Sequence, residues 1–159
     1  MSLATQVLAA ARAKGWRITT AESCTGGLVA AALTDNAGSS DVFDRGFVTY
    51  SYASKEEMLG VSHETLAQKG AVSRDVALQM AEGALRASLA DISIAITGVA
   101  GPGASDDKPE GLVWFGLSTA TQTHTEAVEF GALGRKNVRA ASVNHALGML
   151  LKVINLPPK

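Results

Sequence analysis

Hydrophobic residues along this chain recur with two periods, one typical of helices and one typical of strands. Apolar residues three and four positions apart predict helices at 3–14, about 25–35, 53–59, 63–68, from Ser73 onward and about 135–154. Runs rich in β-branched, aromatic and apolar residues predict strands at about 16–20, 45–51, 91–97, 111–120 and 123–130. Helices therefore stand before, between and after the strands.

Two of these strands differ in pattern. The run at 91–97 is apolar on both faces, as a central strand buried between two helical layers would be. The run at 123–130 alternates strongly, which places it at or near an edge of the sheet. Together the elements predict an α/β fold, a three-layer α/β/α arrangement on a mixed sheet of about five strands. The length of 159 residues fits one domain, 1–159.

Composition and charge exclude several classes of protein. Hydrophobic residues make up 47% and charged residues 18%, which is typical of a globular chain. The net charge of −1 argues against a broad surface for nucleic acid or membrane. A single cysteine excludes an internal disulfide and a cysteine-based zinc site. With neither a leader pattern nor an 18-residue apolar run, the protein is expected in the cytoplasm.

The stretch Thr-Ala-Glu-Ser-Cys-Thr-Gly-Gly at 20–27 is predicted to be a turn from a strand into a helix. Ser23, Cys24 and Thr25 are potential nucleophiles or donors there, and the helix N-terminus suits an anion or an oxyanion. The glycines let a backbone or ligand approach closely. The alternative is a capped helix start, in which Ser23 or Thr25 accepts N–H bonds.

Lys55 is the candidate base for Ser23. It follows the strand at 45–51 and would reach the serine if that strand neighbours the first one. A lysine whose pKa is lowered by burial can serve as a general base for serine. The alternative is a solvated lysine beside Glu56 and Glu57. Histidine is a poorer candidate because no motif marks any of the three, and Cys24 is better explained as a small buried residue than as a nucleophile.

Two further regions carry possible binding groups. The glycine-rich stretch at 98–103 follows the predicted central strand, a common ligand position in open α/β sheets. Arg135, Lys136 and Arg139 crowd the first turn of the last helix, where a cation costs roughly 0.3–1 kcal/mol and a bound phosphate would offset that cost. Arg139, one turn inside the helix, is the preferred ligand, unless these side chains pair with carboxylates or the helix begins later. Asp106, Asp107 and Glu110 are read as a solvated loop, and no metal site is predicted.

Five sequence blocks together resemble the CinA C-terminal domain family. They occur in order across nearly the whole chain, at 21–27, at 46–51 followed by Lys55, at 70–73, at 97–103, and at 108–109 with 111–114. The resemblance implies an amidase that converts nicotinamide mononucleotide to nicotinate mononucleotide and ammonia, without a metal or organic cofactor. It also implies a stand-alone form, since the family often carries an additional N-terminal pyrophosphatase domain.

The resemblance assigns roles to individual residues. It implies Ser23 as nucleophile and Lys55 as base, and places Tyr50, Thr97 and Arg139 in the pocket. Residues of the turn at 20–27 and of the glycine-rich stretch at 98–103 complete the expected substrate-binding set, which is Cys24, Thr25, Gly26, Tyr50, Thr97, Gly98 and Arg139. N–H groups of Thr25 and Gly26 are expected to stabilise the oxyanion, and the phosphate is assigned either to Arg139 or to N–H groups at 98–103.

Some expectations concern partners and alternatives. A homodimer is expected from the family, acting on a small-molecule nucleotide and on neither nucleic acid nor membrane. The loop at 103–108 has fewer glycines than relatives often carry, and Glu110 stands where an apolar residue is commoner, which affects the expected loop contacts. A non-catalytic nucleotide-binding or regulatory module, linked to competence or DNA damage, remains the alternative function, and a cysteine amidase using Cys24 is a third.

Overall fold

The chain forms a five-stranded mixed sheet covered by six α-helices within residues 1–157, the part that the computed structural model describes. The strand order is β2-β1-β3-β4-β5. The strands are β1 Ile18–Glu22, β2 Phe43–Val48, β3 Ile92–Gly98, β4 Leu112–Thr119 and β5 Thr123–Glu129. The helices are α1 Leu3–Lys14, α2 Leu28–Thr34, α3 Tyr52–Leu59, α4 His63–Lys69, α5 Arg74–Arg86 and α6 Arg135–Ile154.

The helices cover both faces of the sheet. Apolar residues of α1, α2 and α6 share one core with the strands, including Val7, Leu33 and Leu150. Residues of α4 and α5 form the second core, including Leu66 and Met80. The predicted three-layer α/β/α arrangement is therefore confirmed, because helices lie on both faces of the sheet and bury apolar residues there.

The direction of the strands brings several loops to one edge. Strand β1 pairs in parallel with both β2 and β3, so their carboxyl ends lie side by side. Strands β4 and β5 run antiparallel to their neighbours, so α6 also begins at this edge after β5. The central position of β3 and the edge position of β5 confirm the two predictions made from their polarity patterns.

Three elements, β1, β2 and α2, have boundaries that differ from prediction by two residues or more. Strand β1 begins at Ile18 because pairing with β2 and β3 starts there. Strand β2 ends at Val48, and the chain then turns into α3, which is capped by Ser51. Helix α2 starts at Leu28 rather than near 25, since Gly26 and Gly27 take positive φ angles of 57° and 103° and keep the preceding segment as a turn.

Helix α5 approaches α3 closely through one small residue. A side-chain carbon on Gly83 of α5 would overlap the carbonyl oxygen of Leu59, the last residue of α3. Only glycine allows this approach without a shift of one helix. Helix α3 is the element that carries Lys55.

Candidate active site

The serine turn, residues 23–27, is fixed by its backbone. The Ser23 N–H donates to Ile96 O at 2.9 Å, which continues the pairing of β1 with β3 by one residue. The Gly26 N–H donates to Ser23 O at 3.1 Å and closes the turn. Gly27 is the N-cap of α2 and no side chain bonds to the helix from that position. The interpretation of Ser23 or Thr25 as a conventional helix cap is therefore wrong.

Lys55 reaches Ser23 from the neighbouring strand–helix connection. Helix α3 starts at a reciprocal capping box between Ser51 and Ser54, so Lys55 lies in its first turn. Its side chain is only 1% exposed. Lys55 Nζ lies 2.8 Å from Ser23 Oγ and 2.7 Å from Thr49 O. The alternative of a solvated lysine is therefore wrong.

The environment of Lys55 changes its protonation. Burial lowers the pKa of Lys55 from its usual 10.5 to about 8, because the ammonium loses hydration. The neutral amine keeps one N–H bond to Thr49 O and can accept the Ser23 proton with its lone pair. The pair can therefore exchange a proton near neutral pH.

A cavity of about 280 Å³ opens above the pair at the carboxyl ends of the parallel strands. Its wall contains the predicted residues Ser23, Cys24, Tyr50, Lys55, Thr97 and Gly98, together with the glycine loop, residues 98–103. The structure thus brings these residues together. Their roles in binding and catalysis stay predictions.

Three predicted binding residues do not belong to the wall of this cavity as formed by residues 1–157: Thr25, Gly26 and Arg139. Arg139 is turned toward the backbone of the serine turn, with Nε 3.0 Å from Cys24 O and Nη2 3.3 Å from Thr25 O. The Thr25 side chain is buried beneath the turn. Arg139 therefore holds the serine turn in place.

Cys24 is a buried neighbour of the serine. It is 5% exposed and belongs to the core beneath the sheet edge. Burial raises the pKa of the Cys24 thiol to about 11. Because the thiolate is the nucleophilic form, this environment disfavours a cysteine amidase. No histidine contributes to the cavity wall within residues 1–157.

Arg135, one of the three basic residues noted at the start of α6 but not the one preferred as a ligand, belongs to the cavity wall. Its Nη1 donates to Gly101 O at 2.8 Å and its Nη2 donates to Tyr50 OH at 2.7 Å, so it spans the mouth of the cavity. The sequence signal was present, since Arg135 belongs to the basic first turn of α6. Arg139 was preferred there because it lies one turn inside the helix.

Tyr52 and Glu22 were also missed. The Tyr52 hydroxyl accepts the Ala71 N–H at 3.1 Å and donates to Asp106 Oδ2 at 3.0 Å, which ties the loop after β3 to the cavity wall. Glu22 is fully buried at the end of β1. Its signal was a charged residue at the end of β1, a strand with no other charged residue.

The acidic loop residues bond to neighbouring groups. Glu110 Oε1 accepts the Gly103 N–H at 2.8 Å and its Oε2 accepts the Gly134 N–H at 3.1 Å. Glu110 therefore joins the glycine loop to the start of α6. Within residues 1–157, no group of three His, Cys, Asp or Glu side chains is placed to hold a metal ion. Nor does that part of the chain contain a helix both long and apolar enough to cross a membrane.

The fold and the cavity define an α/β protein with a buried serine–lysine pair at the carboxyl edge of its parallel strands. More specifically, the chain belongs to the CinA C-terminal domain family, whose model matches residues 1–154. The resemblance found in the sequence is thereby confirmed.

Individual relatives agree with this assignment. The chain is 50% identical over 151 residues to the nicotinamide-nucleotide amidohydrolase PncC of Escherichia coli (strain K12), covering 94% of this chain and 92% of the relative. It is 58% identical over 117 residues to the protein of the same name from Enterobacter agglomerans, covering 73% and 71%. The crystal structure of the competence/damage inducible protein CihA from Agrobacterium tumefaciens superposes with a TM-score of 0.92 at 48% identity, over 97% of this chain and 94% of that one.

Proposed function

We propose that this protein hydrolyses the carboxamide of nicotinamide mononucleotide to give nicotinate mononucleotide and ammonia. The names of the two amidohydrolase relatives support this substrate. The observation that carries the proposal is the 2.8 Å contact between Ser23 Oγ and the Nζ of a buried lysine with a lowered pKa. A hydroxyl paired with a neutral amine is suited to attack an unactivated amide.

The reaction proceeds in two halves. Neutral Lys55 accepts the Ser23 proton as Oγ attacks the carboxamide carbon, and Thr49 O stabilises the ammonium that forms. Lys55 then returns the proton to the departing nitrogen, which leaves as ammonia. In the second half, Lys55 takes a proton from a water molecule as its oxygen adds to the acyl carbon. Lys55 then returns this proton to Ser23 Oγ as the acyl C–O bond breaks, which releases nicotinate mononucleotide and regenerates the hydroxyl and the neutral amine. No metal or organic cofactor takes part in these steps.

The oxyanion donors differ from those expected from sequence. The Gly26 N–H is used within the turn, where it bonds to Ser23 O. The N–H groups of Cys24 and Thr25 have no hydrogen-bond partner among residues 1–157. These two donors follow the nucleophile directly, as oxyanion donors often do. We therefore assign the oxyanion site to the Cys24 N–H, because Cys24 belongs to the cavity wall and Thr25 does not.

The phosphate is assigned to Arg135. Its guanidinium lies on the cavity wall, and within residues 1–157 it bonds to neutral oxygens, those of Gly101 and Tyr50. A phosphate oxygen forms a stronger, charge-assisted bond than either of them. Arg139 is less suitable because its donors hold the backbone of the serine turn. At 98–103, the N–H groups of Ala100 and Gly101 remain additional donors, because those of Val99 and Gly103 already donate to Leu112 O and Glu110 Oε1 and Pro102 has none.

Ammonia release from nicotinamide mononucleotide tests the proposal. Wild type should release ammonia and Ser23→Ala should lose about 10³-fold or more in kcat, because the acyl-enzyme cannot form. Ser142→Ala is the matched control, since it removes another buried serine hydroxyl, bonded to Val138 O, far along α6. Undiminished turnover in Ser23→Ala would refute the mechanism. An inactive wild type that binds the nucleotide would instead favour the regulatory module.

The expected assembly and location belong to the same proposal. The protein is taken to be a homodimer in the cytoplasm that acts on a free nucleotide and binds neither nucleic acid nor membrane. Light scattering on the purified protein measures the assembly, and a mass of one chain, 16.4 kDa, would contradict the dimer. Salt-sensitive retention of duplex DNA would contradict the absence of nucleic-acid binding.

A further inference from the structure

Glu22 is a buried carboxylate for which the proposed mechanism has no use. It is the last residue of β1, directly before Ser23, and none of its surface is exposed. A buried carboxylate is costly unless hydrogen bonds or a cation compensate it. Within residues 1–157 no Lys, Arg or His side chain forms a salt bridge with Glu22. Hydrogen bonds must therefore compensate the carboxylate.

These hydrogen bonds lead into the helix that follows the serine turn. Glu22 Oε1 accepts the Val29 N–H at 2.8 Å, and Oε2 accepts the Ala30 N–H at 3.0 Å. Both donors belong to the first turn of α2, whose N-cap, Gly27, supplies no side chain. Glu22 thus caps α2 from the strand side. The expectation that this helix terminus is open to an anionic ligand is corrected, because the protein's own carboxylate occupies it.

A third bond reaches the turn itself. The Thr25 hydroxyl donates to Glu22 Oε1 at 2.7 Å and is completely buried. On the other side, Arg139 donates to the carbonyl oxygens of Cys24 and Thr25. The serine turn is therefore held from two sides. The Glu22 carboxylate binds the Thr25 hydroxyl and the N–H groups at the start of α2, and the Arg139 guanidinium binds two carbonyl oxygens of the turn.

The backbone of Glu22 also connects to the lysine. Its carbonyl oxygen accepts the Thr49 N–H at 2.9 Å, and Thr49 O in turn accepts the bond from Lys55 Nζ. Glu22 is thus covalently bonded to Ser23 and hydrogen-bonded to Thr49, the residue whose carbonyl oxygen holds Lys55. Small displacements at this residue would alter the geometry of the reacting pair.

We infer that Glu22 is a positioning residue for the serine–lysine pair: its buried carboxylate fixes the serine turn so that Ser23 Oγ faces Lys55 Nζ. The inference rests on the proposed function for its kinetic test. A purely structural cap would alter stability and leave the reactivity of Ser23 unchanged.

Glu22→Gln tests the inference. Glutamine retains one acceptor oxygen but turns an NH₂ group toward donors, so the three bonds cannot all form. Since displacement of about 1 Å can cost 10²-fold in rate, kcat for nicotinamide mononucleotide should fall about 100-fold while KM changes less than about threefold. Ser142→Ala is the control, because it loses a buried hydrogen bond and should keep kcat.

A second readout does not depend on the substrate. The rate at which a fluorophosphonate probe labels Ser23 should fall in Glu22→Gln about as much as kcat, since both measure the activated hydroxyl. If wild type is labelled but releases no ammonia, the proposed substrate fails and the labelling rates still test Glu22. Unlabelled wild type would overturn both ideas.

If Glu22→Gln does not fold, Thr25→Val tests the inference instead. It removes only the hydroxyl donor at 2.7 Å and keeps the carboxylate and the helix bonds. We expect a smaller loss of kcat and labelling, about tenfold. Wild-type labelling and kcat in Thr25→Val, or in a folded Glu22→Gln with a lowered melting temperature, would overturn the inference and leave Glu22 as a helix cap alone.

Discussion

The floor and the rim of the cavity differ in exposure and in the behaviour of their charges. The floor consists of Ser23 and Lys55, and Lys55 is 1% exposed. The rim consists of Tyr50, Tyr52 and Arg135, and Tyr50 is 60% exposed. Burial lowers the pKa of Lys55, the cation in the floor, to about 8, whereas Arg135, the cation at the rim, is exposed.

Under the proposed function, this difference would separate the chemistry, in the floor, from substrate recognition, at the rim. A proton can be exchanged only where the pKa lies near the working pH, which is the floor. An exposed guanidinium is suited to attract and hold an anion, and the rim contains one, that of Arg135. Changes in the floor should therefore lower kcat for every substrate, and changes at the rim should act according to whether the substrate carries a phosphate.

Replacement of the floor cation should have the largest effect. Lys55→Met fills the same space without a proton acceptor, and kcat should fall by about 10³-fold for nicotinamide mononucleotide and for nicotinamide riboside alike. Steady-state ammonia release measures both. A loss confined to the phosphorylated substrate would mean that Lys55 acts in phosphate binding and not as the base.

The pH profile of activity should show the titration of Lys55 in the floor of the cavity. Lys55 acts as a base only when neutral, so activity is present above its pKa of about 8 and is lost as pH falls below it. We expect kcat/KM to fall about tenfold per pH unit below this value and to level off above it. An acid limb centred below pH 6 would show that Lys55 is not the titrating base.

A change at the rim should discriminate between substrates. Arg135→Gln removes the permanent charge, so kcat/KM for nicotinamide mononucleotide should fall about 30-fold through one lost charge-assisted contact. The value for nicotinamide riboside, which has no phosphate, should stay within about twofold. Lys136→Gln removes a charge from the same helical turn outside the cavity wall and should change neither value appreciably. Equal losses for both substrates in Arg135→Gln would refute the phosphate assignment.

The smallest effect is expected at Cys24, which lies beside the floor but has a thiol pKa of about 11. Cys24→Ala removes a protonated, buried thiol and should keep kcat within about threefold, with a modest loss of stability from the small void. Kinetics and thermal melting of the same sample separate the two effects. A loss of several orders of magnitude would reassign the nucleophile to Cys24.

The fold was largely predictable because its signals are local. The apolar run of β3 and the alternation of β5 each follow from short stretches of sequence, and their positions in the sheet agreed. The meeting of Ser23 and Lys55 followed from the expectation that their strands are neighbours. The burial of Lys55, which lowers its pKa, did not follow from the sequence. In α3 only Lys55 and Leu59 are buried, so no apolar stripe marks the face of the helix that points inward.

The remaining site residues depend on tertiary geometry. Arg135 and Arg139 lie four residues apart on α6, so spacing alone places both near the same loop. The two side chains share one face of α6, and the rise of one turn between them places Arg139 at the serine turn and Arg135 at the cavity mouth. Glu22 was visible within the motif, but its function as a cap for α2 requires the helix to fold back over the end of β1.

The glycine at 83 gives the site a dependence on a residue remote from the cavity. Because α5 touches the last carbonyl of α3 through Gly83, even an added methyl group there would push the lysine-bearing helix from behind. A variant such as Gly83→Ala would leave the composition of the cavity untouched while lengthening the path of the proton between amine and hydroxyl. Protein engineers who wish to modify this enzyme should therefore keep the contact between α5 and α3 unchanged.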